Sequence, residues 1–505
     1  MQKAQIILDK DYIIGTVDKR LYGFFVEHLG RCVYNGLYEP GHSLADEDGF
    51  RKDVMHLVRD LHIPVIRYPG GNMVSGFCWE DSVGPREKRP RRLELSRASV
   101  ETNEIGLHEF WQYAQNVGAD LVYTVNLGTR GPADARDLIE YTNHPGGSLY
   151  SDMRCRNGRE KPFGIRTWCL GNEMDGPWQM CHKSAREYGA IARETAKMMR
   201  WVDPDIELIA VGSSGTELPT YCGWEMEMLD ECYDYVDYVA FHRYFRNTNT
   251  DQESFLASSV SLEEMIHTLI AICDAMKGKK RSKKRLQLSF DEWNVAHRRD
   301  VDKYPERLSM PLKQDRWTVA PRLIEHVYTF EDALCAAFLM ITMLRHTDRL
   351  KIACVAQLVN VIAPIMTRVG GGAWTQTIYW PIQRFSMYGR GESLLLVQEA
   401  PMGESKLYGP YPLMDSCCIR HEDGTLTLFI ASRSHEEMEI NLDLRSIECT
   451  RMFRHEVLHH DDPEACNTEE KPDEVIMHEL KLTQPDHGKL KLVIGPMSFH
   501  VIQLG

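Results

Sequence analysis

Short apolar runs alternate with stretches of helical period from about residue 21 to about residue 364. In the stretches between the runs, apolar residues recur every three to four positions, as Val54, Leu57, Val58 and Leu61 do. The runs have the length of buried strands, and they read LYGFFVEH, VIRYPGGN, LVYTVNLG, RTWCLGNE, ELIAVGSS, YVAFHRYF, LQLSFDEWN and IACVAQLVN. These eight strand-plus-helix units predict an α/β fold, a (β/α)8 TIM barrel.

Nearly every run ends in polar or glycine residues at its carboxyl side. In a barrel, all carboxyl strand ends meet at one face, where barrel enzymes place their active sites. The alternative is an open doubly wound sheet, which usually has fewer strands. The pattern therefore favours the barrel, with a functional site at its carboxyl-terminal mouth.

The pattern changes after about residue 393. Here GTLTLFIAS, MEINLDL and KLKLVI alternate apolar and polar positions, and Asp423–Gly424 reads as a hairpin turn. This predicts a C-terminal antiparallel β-sandwich (jelly-roll-like), to which the N-terminal AQIILD adds a strand. We expect a barrel domain over residues 16–388, with residues 1–15 and 389–505 forming the sandwich domain.

Composition narrows the class of protein only slightly. A net charge of −14 argues against a nucleic-acid or membrane-surface binder, because those partners require clustered positive charge. The most apolar run, 333–344, is too short to cross a bilayer and predicts a buried helix. The N-terminus has no secretory pattern, so we expect a cytoplasmic protein whose 14 cysteines are reduced.

Two of the predicted strands end in glutamate. Asn172 and Glu173 close the fourth run, and Glu292 closes the seventh, so the two glutamates face each other across a barrel of eight. Glycoside hydrolysis requires such a pair, one carboxyl to protonate the leaving oxygen and one carboxylate to attack or to activate water. Asp291 precedes Glu292, and strand alternation places only one of the two in the cavity. The pattern alone does not say which one.

Several longer motifs carry a resemblance to a known family. FFVEHLGRCVYNGLYEPGHSLADEDGFRKDV, IRYPGGNMVSGFCWEDSVGP, VNLGTRG, WCLGNEMDGPWQ, LSFDEWNV and ACVAQLVNVIAPI occur in the order seen in the α-L-arabinofuranosidases of glycoside hydrolase family 51. The resemblance extends over the whole chain. It implies an exo-acting enzyme that removes terminal α-L-arabinofuranosyl residues from arabino-oligosaccharides with retention of configuration, without a metal or an organic cofactor.

The resemblance also implies roles for particular residues. Glu173 would be the general acid/base and Glu292 the nucleophile, which leaves Asp291 a structural role on the other side of the strand end. Arg67 would orient Glu292 and keep it ionised, with His242 as a supporting residue. The implied substrate-binding residues are Glu27, Asn72, Asn172, Tyr244 and Gln357. The retaining mechanism predicts a carboxyl separation of about 5 to 5.5 Å.

The chain departs from the family's usual motifs at the leaving-group side. Many relatives read WNVW and HQYY where this chain has WNVA and HRYF, which introduces Ala296, Arg243 and Phe245. The alternatives are another retaining glycosidase, such as an endo-β-glucanase or a β-xylosidase, and a carbohydrate-binding protein without catalysis. The family also implies a homo-oligomer, often a hexamer.

Overall fold

The structure is a computed structural model that describes residues 1–247, 251–295, 308–447, 449 and 451–505. Ala296, one of the departures at the leaving-group side, lies outside these residues.

The described residues form helices and strands with the following bounds. The helices are α1 (Lys52–Asp60), α2 (Leu107–Val117), α3 (Pro132–Asn143), α4 (Leu149–Arg156), α5 (Ala185–Val202), α6 (Gly223–Cys232), α7 (Gln252–Leu256), α8 (Ser258–Lys280), α9 (Phe330–Leu344) and α10 (Tyr379–Tyr388). The strands are β1 (Gln2–Thr16), β2 (Gly23–Phe25), β3 (Val65–Tyr68), β4 (Arg92–Glu94), β5 (Ser99–Glu101), β6 (Asp120–Thr124), β7 (Thr167–Leu170), β8 (Glu207–Ala210), β9 (Tyr238–Phe245), β10 (Gln287–Val295), β11 (Leu350–Ala356), β12 (Ile365–Thr367), β13 (Ala373–Thr375), β14 (Glu392–Glu399), β15 (Met402–Ser405), β16 (Gly409–Pro412), β17 (Met414–Arg420), β18 (Leu426–Ser432), β19 (Met438–Asp443), β20 (Met452–His459), β21 (Met477–Glu479), β22 (Lys489–Ile494) and β23 (Ser498–Leu504).

Eight parallel strands close into a barrel in the order β10, β11, β2, β3, β6, β7, β8 and β9. Each of the eight apolar runs overlaps one of these strands, so the predicted (β/α)8 barrel is confirmed. The helix α5 begins after the capping box of Ser184 and Glu187, in which the Glu187 N–H donates to the Ser184 hydroxyl. The apolar α9 is buried over its whole length, as expected for a helix that packs against neighbours on every side.

The C-terminal part is a nine-stranded sheet in the order β21, β20, β23, β18, β17, β14, β1, β19 and β22. Apolar residues of β20, next to one end of this order, and of β22, at the other end, share one core, so the sheet folds over itself into the predicted sandwich. The N-terminal strand β1 is part of it, paired antiparallel with β14 and parallel with β19. That parallel pair is the exception in a sheet whose other pairs are antiparallel, and period-two alternation does not reveal strand direction.

The sandwich packs against the barrel through aromatic rings. Phe385 of α10 stacks on Phe429 at 4.2 Å and on Phe499 at 5.3 Å between ring centroids. All three side chains are buried and belong to the same apolar core as the barrel. This contact joins the two parts of the chain. Among the described residues, no helix combines the length and the hydropathy that a membrane span requires.

Candidate active site

Four barrel strands bring a group of charged side chains together at the carboxyl-terminal mouth. Arg67 lies in β3, Glu173 follows β7, His242 lies in β9 and Glu292 lies in β10. All four are buried. A carboxylate oxygen of Glu173 and one of Glu292 lie within 4.8 Å of each other. The two strand-end glutamates that the sequence pattern singled out therefore share one site.

Glu292 is held by a cation and a phenol. The Arg67 guanidinium donates from Nη1 to Oε2 over 3.1 Å, and the Tyr244 hydroxyl donates to Oε1 over 2.8 Å. His242 Nδ1 lies 3.6 Å from Oε2. The contacts with Arg67 and Tyr244 therefore hold the Glu292 carboxyl group in one orientation.

Asp291 enters the same charged group, which corrects the expectation that it lies on the other side of the strand end. Its carboxylate lies 3.2 Å from Arg67 Nε and 3.3 Å from His242 Nε2. Between Ser289 and Glu292, β10 carries one residue more than the facing part of β9. Such a β-bulge interrupts the alternation of side chains along a strand. The structure therefore places both acidic neighbours in contact with Arg67 and His242.

His242 is surrounded by three carboxyl groups. Its Nδ1 lies 3.2 Å from Glu173 Oε1, in addition to the contacts with Asp291 and Glu292. Burial lowers the pKa of this imidazole, but the charge of Glu292 and the bonds to Asp291 and Glu173 outweigh it and raise the pKa to about 10. His242 is therefore a cation at neutral pH. Burial alone would raise the pKa of Asp291, but the charge of Arg67 and the bond to His242 hold it below its ordinary value.

Glu173 follows β7 with a φ of +46°, a left-handed conformation that non-glycine residues seldom adopt. Its Oε2 accepts a hydrogen bond of 2.7 Å from the indole of Trp178. Burial and the nearby charge of Glu292 raise the pKa of Glu173, against the lowering effect of His242 and Trp178. A raised pKa suits a carboxyl group that must carry a proton to donate. Trp178 was missed by sequence reasoning, and its place within GNEMDGPW was the available signal.

Asn172 is oriented by Arg67. The guanidinium donates from Nη2 to the amide oxygen over 2.6 Å. This bond fixes the orientation of the Asn172 amide, with its NH2 group turned away from Arg67. The buried nitrogen of that NH2 group has no protein partner. A buried amide without a partner is an available donor for a substrate hydroxyl.

Glu27 and Gln357 form a second polar pair at the mouth. The Glu27 N–H donates to the Gln357 side-chain oxygen over 3.0 Å, and Glu27 Oε1 accepts from the Met73 N–H over 3.0 Å. Burial raises the pKa of Glu27 to about 7, against the lowering effect of the Arg97 charge. Position 71 needs a glycine, because a Cβ there would lie 2.4 Å from a carboxylate oxygen of Glu27. Asn72 follows and is half-buried.

The departures in HRYF are also placed by the structure. Arg243 donates a hydrogen bond to the hydroxyl of Thr216, and its guanidinium lies 5.4 Å from the centre of the Phe245 ring. Phe245 itself is buried in the barrel core. Of these two residues, only Arg243 is partly accessible beside the site.

One atom each of Glu173, His242 and Glu292 lies within 4.8 Å of the others, which is a spacing that metal sites also show. A metal ligand must be deprotonated, so an ion here would have to displace the proton of His242. Arg67 already occupies Oε2 of Glu292. This donor set therefore fits proton transfer better than it fits a cation.

A barrel with two carboxyl groups close together at its mouth, one of them with a raised pKa, is the arrangement of a glycoside hydrolase. Comparison with known proteins specifies the family. The family description "α-L-arabinofuranosidase 1 domain" matches residues 57–259, and "α-L-arabinofuranosidase C-terminal domain" matches residues 291–498. The chain belongs to the α-L-arabinofuranosidases of glycoside hydrolase family 51, so the resemblance in the motifs is confirmed.

Individual relatives match over the full length. An intracellular exo-α-(1→5)-L-arabinofuranosidase of Bacillus subtilis is 48% identical over 100% of this chain and 99% of its own. An exo-α-(1→6)-L-arabinofuranosidase of Bifidobacterium longum is 44% identical over 100% and 98%, respectively. The solved structure of a family 51 α-L-arabinofuranosidase from Bifidobacterium longum superposes with a TM-score of 0.94 at 37% identity, covering 100% of both chains.

Proposed function

We propose that the protein is a retaining, exo-acting α-L-arabinofuranosidase that removes terminal non-reducing α-L-arabinofuranosyl residues from arabino-oligosaccharides. The observation that carries this proposal is the approach of Glu173 and Glu292, whose carboxylate oxygens lie within 4.8 Å of each other. Inverting enzymes hold their carboxyl groups roughly 6.5–9.5 Å apart, to leave room for a water molecule. The shorter spacing supports direct attack by one carboxylate on the sugar.

In the first half of the proposed reaction, Glu292 attacks the anomeric carbon while Glu173 donates its proton to the leaving oxygen. Arg67 and Tyr244 hold Glu292 in place for the attack. A covalent glycosyl-enzyme forms and the leaving group departs with the proton from Glu173. Esterification removes the charge of Glu292, so the pKa of Glu173 falls.

In the second half, the deprotonated Glu173 takes a proton from water, and the water oxygen attacks the anomeric carbon. The bond to Glu292 breaks, and arabinose leaves with the configuration of the substrate. The proton taken from water restores the acid form of Glu173. His242 lies 3.2 Å from Glu173 Oε1 and 3.6 Å from Glu292 Oε2, and its charge eases the loss of the proton from Glu173 in the first half of the reaction.

Polar side chains around the two glutamates supply the contacts for the arabinofuranosyl ring. We assign the 2-hydroxyl to Asn172, because its buried NH2 group has no protein partner. Glu27 and Gln357 accept and donate to the remaining hydroxyls from the other side of the mouth, together with Asn72. Recognition of a small sugar by several fixed polar groups supports exo action on a terminal residue.

The names of the relatives support the substrate class and the compartment. Relatives act on α-(1→5) or on α-(1→6) linkages, and the enzyme from Bacillus subtilis is described as intracellular. We propose the cytoplasm as the site of action and imported oligosaccharides as substrates. We also propose a homo-oligomer, with a hexamer expected from the family. Sedimentation velocity counts the subunits.

The test of the activity is hydrolysis of p-nitrophenyl α-L-arabinofuranoside, followed by proton NMR of the sugar released first. We expect turnover, with the α-anomer appearing before mutarotation. Appearance of the β-anomer first would contradict retention. Turnover of a β-xyloside or a β-glucan in preference would favour the other glycosidases of this scaffold. Binding of arabino-oligosaccharides without any turnover would favour a carbohydrate-binding protein.

A further inference from the structure

Two groups of three side chains have the spacing of metal ligands in the part of the chain that the structure describes. One of them contains the two strand-end glutamates. The other comprises Glu263 and His267 of α8 and His346, which comes two residues after the end of α9. One ligand atom of each lies within 4.8 Å of the other two. This second group takes no part in the proposed reaction.

Glu263 and His267 lie on one face of α8. They are four residues apart in the helix, which places their side chains next to each other. The same spacing brings two zinc ligands together in helical metal motifs. His267 Nε2 lies 3.7 Å from Glu263 Oε1, and the His267 side chain is 64% exposed. An ion from solvent can therefore reach this histidine.

His346 adds a third ligand from the turn between α9 and β11. Its Nε2 lies 2.7 Å from the same Glu263 oxygen, Oε1, and its ring packs edge-on against that of His267 at 5.0 Å between centroids. The His346 N–H donates to the Met343 carbonyl over 3.1 Å, and its own carbonyl accepts from the Leu350 N–H over 2.7 Å. These backbone bonds fix the turn, so the position of the third ligand is set before an ion binds.

Arg345 determines which oxygen of Glu263 is available. Its Nη2 lies 3.4 Å from Glu263 Oε2, while Oε1 is the oxygen closest to both histidines. Nη1 of Arg345 lies 2.8 Å from Asp415, which also binds Arg433 at 2.6 Å. The two carboxylates and two guanidinium groups balance in charge. The site therefore selects an ion by its preference for imidazole nitrogen rather than by a strong negative field.

The donor set is one carboxylate oxygen and two imidazole nitrogens. Imidazole suits zinc, whereas magnesium and calcium prefer oxygen ligands throughout. Ligands of tetrahedral zinc lie about 2.0–2.2 Å from the ion and therefore roughly 3.3–3.6 Å from one another. The separations of 2.7 and 3.7 Å from Glu263 Oε1 bracket that range. Small rotations of the two rings therefore suffice to place an ion between the three atoms.

We propose that Glu263, His267 and His346 bind a zinc ion, with water as the fourth ligand. The ion takes the place of the hydrogen bond between His346 and Glu263. It ties α8 to the turn between α9 and β11, so it stabilises the native state without entering the chemistry at the barrel mouth. The proposal is independent of the proposed function.

The test is equilibrium dialysis of the full chain against zinc chloride, with the bound zinc counted by elemental mass spectrometry. We would compare the parent with His267→Gln, which replaces an exposed side chain. His487→Gln is the matched control, because His487 is also exposed and lies 3.6 Å from a carboxylate, that of Asp486. Among the described residues, no third ligand with metal spacing joins that pair.

We expect the parent to bind one zinc ion whose Kd rises about tenfold or more in His267→Gln. Loss of even an outer partner of a metal ligand costs about 10–100-fold in affinity, so loss of a ligand should cost at least as much. His487→Gln should keep the Kd of the parent. An equal Kd in the parent and in His267→Gln would overturn the proposal.

Modification with diethyl pyrocarbonate locates the ion in the unaltered protein. The reagent acylates accessible imidazole nitrogens, so His267 and His487 should both react without zinc, as peptide mass spectrometry reads for each. Zinc should protect His267 and leave His487 reactive. Equal reactivity of His267 with and without zinc would overturn the proposal. Zinc that stays bound in His267→Gln but is lost in Glu173→Gln would also overturn it, by placing the ion at the barrel mouth.

Discussion

Asp291 and Glu292 are consecutive residues of one strand, and both carboxylates bind the guanidinium of Arg67, at 3.2 and 3.1 Å. The β-bulge in β10 makes this possible, because it removes the alternation that would separate them. Glu292 faces the mouth, where Tyr244 binds it, whereas Asp291 is further anchored by the thiol of Cys169. Asp291 therefore holds Arg67 and His242, the two cations that position Glu292.

Asp291→Asn should change the titration of His242. Asp291 helps to raise the pKa of His242 to about 10, so the variant should have a lower histidine pKa. A histidine pKa above the unfolded value stabilises the protein fully below about pH 6.5, and this contribution is lost as the pH rises towards the folded pKa. We expect the stability of the variant to fall less than that of the parent between about pH 6.5 and 10, and to level off at a lower pH, as measured by urea unfolding across pH 6 to 10.

The control for this experiment is Asp486→Asn, which removes an exposed carboxylate far from the site. It should leave the alkaline dependence of stability as in the parent. Equal pH dependence for Asp291→Asn and the parent would show that Asp291 does not support the charge of His242.

Glu173→Ala should separate substrates by their leaving groups. Without the proton donor, aryl arabinofuranosides whose phenol has a pKa near 10 should react about 10²–10⁴-fold more slowly, while dinitrophenyl substrates lose far less in the first step. The second step then limits turnover, and azide should restore it by forming α-L-arabinofuranosyl azide. Steady-state kinetics with a series of phenols, with and without azide, measure both effects.

Glu292→Ala is the comparison for that series. It should be slow with every leaving group, and mass spectrometry should detect no glycosyl-enzyme. If Glu173→Ala lost the same factor with every leaving group, its assignment as the acid would be wrong.

Glu27→Gln should remove a pH dependence of substrate binding. Because the pKa of Glu27 is about 7, the carboxyl group is protonated below that pH and is a weaker acceptor for sugar hydroxyls. We expect KM of the parent to fall as the pH rises through 7. In the variant KM should be about tenfold higher at pH 8 and flat through pH 7. The control is Glu47→Gln, at an exposed position, which should keep the pH dependence of the parent. If KM of Glu27→Gln still changed through pH 7, the pH dependence would belong to another group.

Phe385→Ala should weaken the contact between barrel and sandwich. Phe385 is buried against Phe429 and Phe499, and loss of a buried phenylalanine costs about 3–5 kcal/mol. We propose domains at residues 16–388 and at 1–15 with 389–505, which this contact joins into one unit. Urea unfolding should show a single transition at lower denaturant. The control Phe453→Ala, at an exposed position, should change the denaturant midpoint little. A stable, active fragment of residues 16–388 would show that the barrel does not depend on the sandwich.

The barrel was predictable because its eight strands are buried on both faces and read as continuous apolar runs. Glu173 and Glu292 were found because strand ends converge at one face. The position of Asp291 was not predictable from alternation, since a bulge depends on contacts with both neighbouring strands. The hairpin of β4 and β5 also gave no signal, because its short strands are partly exposed.

The insertion of β1 between β14 and β19 has a consequence for synthesis on the ribosome. The first strand to emerge pairs with strands made near the end of the chain, such as Ile7 with Val397 and with Asp443. At about 5–20 residues per second, its partners arrive tens of seconds later. The barrel sequence is complete before the sandwich can close, so a chain cut short by a late stop codon would expose β1, an apolar edge that quality-control proteases can detect.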